Sequence, residues 1–155
     1  MPVLAIIMKT MTMNTIHRKT RSYEELIRLP TFEERYEYLK LSGRVGESTF
    51  GYERMLNQSF YASQEWKKFR RSVIIRDNGC DLGIEGYEIF DRIIVHHINP
   101  ITPDDIEMNS SALMNMNNVI CVSFGTHEAI HFGDSSLLPK APIQRYSNDM
   151  SPWLG

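Results

Sequence analysis

The sequence predicts an α+β domain, with helices in its first half and short strands combined with helices in its second half. Up to Asp77, apolar residues recur at helical spacing behind Ser and Thr residues that can cap a helix. After Gly79 the pattern changes to short apolar runs separated by turn residues. The chain has 155 residues, 42% hydrophobic and 23% charged, an ordinary globular composition that excludes wholesale disorder.

We expect four segments along the chain. Residues 1–20 are rich in Thr and Met without a helical or strand period, which predicts a flexible tail. Residues 21–62 are expected to form a helical region that packs on the core, and residues 63–134 to form the core itself. Residues 135–155 are predicted to be an extended C-terminal tail.

Capping residues predict the helices of the first half. Two capping boxes, in which Ser or Thr precedes Glu by three residues, open helices predicted over 23–29 and 32–41: Ser22 with Glu25, and Thr31 with Glu34. Residues 43–57 contain Gly and are expected to be irregular. Ser63 is the predicted cap of a third helix, whose apolar face carries Trp66, Phe69 and Val73.

The polar face of the third helix is basic, although the net charge of the chain is −2. Its cations are Lys67, Lys68, Arg70 and Arg71. They can contact phosphate groups or form a solvated face, and the sequence favours neither interpretation. Arg92 is a further candidate phosphate ligand, although an exposed cation at a strand edge is the more ordinary interpretation. Residues 79–155 carry three basic and ten acidic residues, so overall charge does not indicate a nucleic-acid partner.

Short strands and helices are predicted after Gly79. Apolar runs predict strands over 87–90, 92–96 and 119–123. Thr102 begins a helix because Pro103 and two acidic residues follow it. A final short helix is predicted over 126–132.

Four of the five histidines fall in two clusters. His127 and His131 are four residues apart on the predicted final helix, so both imidazoles lie on one face. His96 and His97 are adjacent in a predicted strand, where successive side chains point to opposite faces. Pro100 predicts that this strand ends between them, which would let one histidine ligate a metal while its neighbour faces a substrate. Neutral imidazole is the commonest side-chain ligand of transition metals.

Together these motifs make the chain resemble the HNH endonuclease family, in its phage-type branch. The resemblance covers about residues 60–134. The matching pieces are His96-His97-Ile98-Asn99-Pro100, Asn118-Val119-Ile120-Cys121-Val122 and Thr126-His127-Glu128-Ala129-Ile130-His131. It implies a ββα-metal (HNH) core, here with an N-terminal helical elaboration. The implied function is hydrolysis of DNA phosphodiester bonds, by nicking or by double-strand cleavage.

The resemblance also implies roles for individual residues. His96, His127 and His131 would hold one divalent ion, Mg²⁺, Mn²⁺, Ni²⁺ or Zn²⁺. His97 would be the general base that activates water, and Asn118 would orient that base. The ion would polarise the scissile phosphate and stabilise the leaving oxygen.

The sequence departs from the family in one respect. Many members carry two CxxC pairs that bind a structural zinc, but here Gly83 follows Cys80 by three residues, and Ser123 and Thr126 occupy the positions of the second pair. We therefore expect no structural zinc, two reduced cysteines, and stabilisation by packing of the N-terminal helices instead.

The sequence also predicts where the protein is located and leaves two alternative functions open. The apolar run at residues 3–8 is too short to span a bilayer and lacks the flanks of a signal peptide, so we expect a cytoplasmic protein without membrane contact, in an infected bacterial host if it is phage-encoded. The expected partner is DNA. Two rivals stay open: an accessory protein that has lost catalysis and binds DNA or a host protein, and a purely structural metal site.

Overall fold

The computed structural model describes residues 20–41 and 52–140, with side chains from Met55 onward in the second range. The described chain is α+β, a set of helices around one two-stranded antiparallel sheet. The helices and strands are α1 (Tyr23–Leu26), α2 (Phe32–Leu39), α3 (Tyr52–Ala62), α4 (Gln64–Arg76), β1 (Ile94–His97), α5 (Pro103–Glu107), β2 (Val119–Val122) and α6 (Phe124–Phe132). Single 3-10 turns lie at Asp81–Gly83, Met116–Asn118 and Ser135–Leu137.

Four of the five predicted helix starts are confirmed and two helices are shorter than predicted, whereas the final helix begins at Phe124 rather than at residue 126. Ser22, Thr31, Ser63 and Thr102 each accept a backbone N–H of the first turn that follows. The first helix stops at Leu26 rather than at residue 29. Arg28 and Leu29 donate to carbonyls three rather than four residues back, and Pro30 disfavours the helical conformation at Leu29. The second stops at Leu39 rather than at residue 41.

The expectation of irregular chain over residues 43–57 is wrong for its described part. Helix α3 begins at Tyr52, and residues 43–51 lie outside the described residues. No capping box precedes α3, so its start could not be predicted from local capping residues. Aromatic packing holds α3 against α4, since the rings of Phe60 and Trp66 have centroids 5.1 Å apart. The predicted N-terminal tail also lies outside the described residues, except for Thr20.

Strand β1 pairs with β2 over four residues, with His96 opposite Ile120 and His97 opposite Val119. The expectation that the strand ends between the two histidines is therefore wrong. Pro100 lies far enough along the chain to let the ladder continue, and Ile98 still donates its N–H to the carbonyl of Asn118 at 2.8 Å. The predicted strand over 87–90 is also wrong, because only Glu88 pairs, in an isolated bridge with Cys80.

The two faces of the sheet pack on two separate apolar cores. The α6-side core joins the sheet to α1, α2 and α6: Leu26, Phe32, Tyr36, Leu39, Leu82, Ile98, Ile120, Val122, Ala129 and Ile130. The α4-side core joins the opposite face to α4: Trp66, Val73, Val95, Val119 and Cys121. Alternation along β2 explains the division, since Ile120 and Val122 face one side while Val119 and Cys121 face the other.

The first two helices are attached to the rest of the chain by specific hydrogen bonds. Arg35, 8% exposed, donates from Nη1 to the carbonyl of Leu82 at 2.7 Å. Leu41 donates its N–H to the carbonyl of Ile130 in α6 at 2.9 Å, which draws the chain out of the helical path after α2. Arg21 and Asn99 exchange two further hydrogen bonds. None of the helices in the described ranges has the length and apolarity needed to cross a membrane.

Candidate functional site

Three histidines converge between strand β1 and helix α6. One ring nitrogen from each of His96, His127 and His131 lies within 4.8 Å of the other two. The Nε2 atoms of His127 and His131 are 3.1 Å apart. Two nitrogens that each sit about 2.1 Å from one ion can be at most about 4.2 Å apart, so this pair already satisfies the geometric limit for shared coordination. This group of histidines, the histidine triad below, can hold a metal ion.

Local structure explains the convergence. His127 and His131 are one turn apart on α6, whose N-cap is Ser123 and whose C-cap Gly133 has a φ of 68°. The α6-side core presses this helix onto the sheet through Ala129 and Ile130, which are fully buried. The face of β1 that carries His96 therefore meets the helix face that carries the other two.

Electrostatics favour neutral imidazoles at His96 and His131. Burial, together with the neighbouring histidines, holds the pKa of His96 well below its usual value. Burial and the charge of His127 also lower the pKa of His131, against an opposing effect of Glu128. A neutral imidazole has a free nitrogen lone pair, which is the form that binds metal.

Glu128 supports one of these rings. Its Oε1 lies 3.4 Å from Nδ1 of His127. An Nδ1–H directed at this carboxylate leaves Nε2 of His127 with its lone pair toward the triad. A carboxylate behind a metal-binding histidine fixes its tautomer and raises its basicity.

His97 lies on the opposite face of β1. Its ring stacks on Trp66 of α4 with centroids 5.5 Å apart, and its Nε2 lies 2.9 Å from the carbonyl oxygen of Leu113. A carbonyl only accepts, so Nε2 carries the proton and Nδ1 keeps the lone pair in the neutral ring. Burial lowers the pKa of His97, partly offset by the Leu113 carbonyl and by Asp105.

The other ring nitrogen of His97 is open. Nδ1 has no hydrogen-bond partner among the described residues. Among the described residues, every side-chain nitrogen or oxygen that is shielded from solvent has a hydrogen-bond partner. Nδ1 of His97 therefore retains contact with solvent, although the residue as a whole is only 7% exposed.

Asn118 shapes the loop that contacts His97. Its Oδ1 accepts from the backbone N–H and the side-chain amide of Asn99, at 3.0 and 2.7 Å. Its Nδ2 donates to the carbonyl of Ala112 at 3.1 Å. Ala112 precedes Leu113, whose carbonyl accepts from His97. Asn118 thus uses both its amide oxygen and its amide nitrogen to hold the chain on both sides of His97.

An open groove of about 600 Å³ lies beside the histidine triad. Its walls come from α3, α4, β1 and α6, and they include His127 and Glu128. Three of the predicted phosphate-binding cations line it: Lys67, Arg70 and Arg92. Positive charge and a histidine of the triad therefore face the same space.

The predicted basic surface divides into two parts. Lys68 and Arg71 are exposed on α4 away from the groove lining. Arg70 lines the groove, but its Nη2 donates to the carbonyl of Ile93 at 2.7 Å, so part of its guanidinium is fixed on the sheet edge. The freest cations in the groove lining are thus Lys67 and Arg92, both exposed.

Three contributors to this site were missed from the sequence. Trp66 was predicted only as a core residue, and the carbonyl of Leu113 carried no signal at all. Glu128 did carry one, since an acidic residue directly after a predicted ligand can support it. The two cysteines, expected to be reduced, are free and buried, Cys80 and Cys121.

Comparison of the chain with protein-family models, with curated proteins and with solved structures found no match. The geometry of the described residues therefore supplies the argument for function.

Proposed function

We propose that this chain is a metal-dependent DNA endonuclease with an HNH-type, single-metal site. The observation that carries the proposal is the histidine triad beside a groove lined by Lys67, Arg70 and Arg92. An antiparallel strand pair followed by a helix holds the triad, which is the arrangement that the ββα-metal resemblance implies. The combination suits a polyanionic substrate that must be brought to an ion.

The triad would hold one divalent ion through His96, His127 and His131. Three imidazole nitrogens suit Zn²⁺ or Ni²⁺ better than Mg²⁺ or Mn²⁺, which prefer oxygen ligands. Three protein ligands leave a coordination position open, as catalytic sites do. When bound, the ion would supply Lewis-acid stabilisation of negative charge on the phosphate.

His97 is the proposed general base. Its Nε2–H is held by the Leu113 carbonyl, so its basic nitrogen is Nδ1, which has no hydrogen-bond partner among the described residues. The lowered pKa keeps the ring neutral, and therefore able to accept a proton from water, at neutral pH. Stacking on Trp66 and the loop fixed by Asn118 hold the ring in one orientation.

Plasmid nicking tests the function directly. We expect the purified chain to convert supercoiled plasmid to relaxed or linear DNA with Mg²⁺, Mn²⁺, Ni²⁺ or Zn²⁺, and to lose this activity with excess chelator. His127→Ala should remove cleavage with each ion, because it deletes a ligand that also faces the groove.

Other outcomes identify the rival functions. DNA binding without cleavage under all four ions would indicate the accessory protein. Tight one-to-one Zn²⁺ binding with neither cleavage nor DNA binding would indicate a structural metal site. Either result would overturn the proposal.

A further inference from the structure

A buried carboxylate lies behind the helix that carries two of the triad histidines. Asp81 is 2% exposed. Its Oδ1 accepts the backbone N–H of Ser123 at 3.1 Å, and its Oδ2 accepts the hydroxyls of Ser123 and Thr126 at 2.7 and 2.5 Å. All three donors belong to the N-cap or the first turn of α6, and Thr126 directly precedes His127.

The backbone around Asp81 is itself fixed by buried contacts. The neighbouring Leu82 is fully buried and has a φ of 53°, a left-handed conformation that is costly for a residue other than glycine. The carbonyl of Leu82 accepts the buried hydrogen bond from Arg35 of α2. Asp81 also donates its N–H to the carbonyl of Tyr87 at 2.8 Å. The carboxylate is therefore placed by contacts on three sides.

Ordinary helix capping does not require this carboxylate. Ser123 already caps α6, because its hydroxyl accepts the N–H of Thr126 at 3.2 Å. Asp81 adds further hydrogen bonds to this cap. It accepts from the hydroxyl of Ser123 and from that of Thr126 in the first turn, although it lies more than 40 residues earlier in the chain. Sliding or rotation of α6 along the sheet would break all three bonds at once.

We infer that Asp81 is a positioning residue for the histidine triad, acting through Ser123 and Thr126 to set where α6 presents His127 and His131 against His96. The inference rests on the proposed metal site. Groups hydrogen-bonded directly to metal ligands typically change metal affinity by roughly 10- to 100-fold when they are replaced, and Asp81 acts one residue further back, so we expect the lower end of this range. A residue that only stabilised the fold would change the melting temperature and leave the affinity of the folded protein unaltered.

Titration with Co²⁺ tests the inference, because visible absorption of bound Co²⁺ reports both affinity and coordination geometry. It is done at a temperature where circular dichroism shows each variant to be folded. We expect Asp81→Asn to weaken Co²⁺ binding by roughly 10-fold and to alter the absorption band. Thr126→Val, which removes one hydroxyl and keeps the shape, should act in the same direction, whereas Thr126→Ser should bind like the parent.

Glu34→Gln is the matched control. Glu34 also accepts from the backbone and hydroxyl of a capping residue, Thr31, but in α2 and at an exposed position. It should leave Co²⁺ binding unchanged. Parent-like binding by Asp81→Asn would overturn the inference and leave the proposed function standing, and if that variant does not fold, Thr126→Val decides in its place. Absence of Co²⁺ binding by the parent would refute the metal site and this inference together.

Discussion

The two faces of strand β1 place adjacent histidines in different surroundings. His96 points toward α6 and meets two other imidazoles, with ring centroids 5.2 and 5.6 Å away. His97 points toward α4, stacks on Trp66 and bonds to the Leu113 carbonyl. Both residues are 7% exposed. Burial alone therefore does not distinguish them, and their partners do.

The difference shows how one strand can supply two chemical roles. Neighbouring side chains of a strand leave opposite faces, so the backbone separates a metal ligand from a candidate base without an intervening loop. Imidazole partners can share an ion, whereas a carbonyl partner fixes one tautomer and leaves the other nitrogen basic. The proposed roles of His96 and His97 rest on these partners.

The largest expected effect separates the two histidines directly. His97→Ala should lower the cleavage rate by about 10²- to 10⁴-fold, the usual contribution of a general base, while metal affinity stays within a few-fold of the parent. His127→Ala should lower cleavage and metal affinity together. Calorimetric titration with Zn²⁺ beside a nicking assay measures both quantities.

A melting curve of each variant is the control, because His97→Ala also leaves a space beside Trp66. Equal loss of metal affinity in the two variants would show that the faces of β1 do not divide the roles. Undiminished cleavage by His97→Ala would exclude His97 as the base and move that role to a residue of the groove lining, where Glu128 is the candidate.

Local signals made part of this site predictable. The four-residue spacing of His127 and His131 needs only a helix to bring the rings together, and Ser63 and Thr102 start helices by chemistry confined to one turn. The end of β1 was mispredicted because Pro100 is a local signal, whereas pairing of His97 with Val119 depends on a segment 22 residues later.

Contacts between distant segments could not be predicted. Which cations of α4 face the groove depends on how that helix is rotated against β1, and the helical pattern alone gave four equivalent candidates. The Leu113 carbonyl and the Asp81 carboxylate act across 16 and more than 40 residues. Such contacts depend on how whole helices and strands pack together. The periodicity of a sequence predicts the elements but not their packing.

The next largest effect concerns the two cores. The α6-side core includes α1 and α2, whereas the α4-side core does not. Leu39→Ala, at a fully buried position of α2, should lower the free energy of unfolding by about 2–5 kcal/mol. Urea denaturation followed by circular dichroism measures this loss.

Ile75→Ala is the control for Leu39→Ala, because Ile75 is 73% exposed on α4. It should change the free energy of unfolding by no more than about 0.5 kcal/mol. Similar small effects of both substitutions would mean that the first two helices do not form one folding unit with the histidine side of the sheet.

The smallest expected effect, on DNA binding, distinguishes the cations that line the groove from those exposed elsewhere on α4. Lys67 and Arg92 line the groove beside His127, whereas Lys68 and Arg71 are exposed away from it. If DNA lies in the groove, Lys67→Ala/Arg92→Ala removes two phosphate contacts. The log–log salt dependence of DNA binding should then become shallower by roughly two units of slope. Lys68→Ala/Arg71→Ala removes the same charge and should leave the slope unchanged.

Fluorescence anisotropy without divalent ions measures this slope, using two duplexes of equal length and different sequence, since phosphate contacts should weaken both duplexes equally. Arg70 is left intact because its bond to the Ile93 carbonyl would confound binding with stability. Long cationic side chains can also pack their stems on apolar surface, so both double variants are compared by melting temperature.

An equal change of slope in both pairs would mean that DNA contacts the whole basic face of α4. A parent-like slope in both double variants would mean that DNA does not lie in the groove. The cations beside the triad would then have a role other than DNA binding.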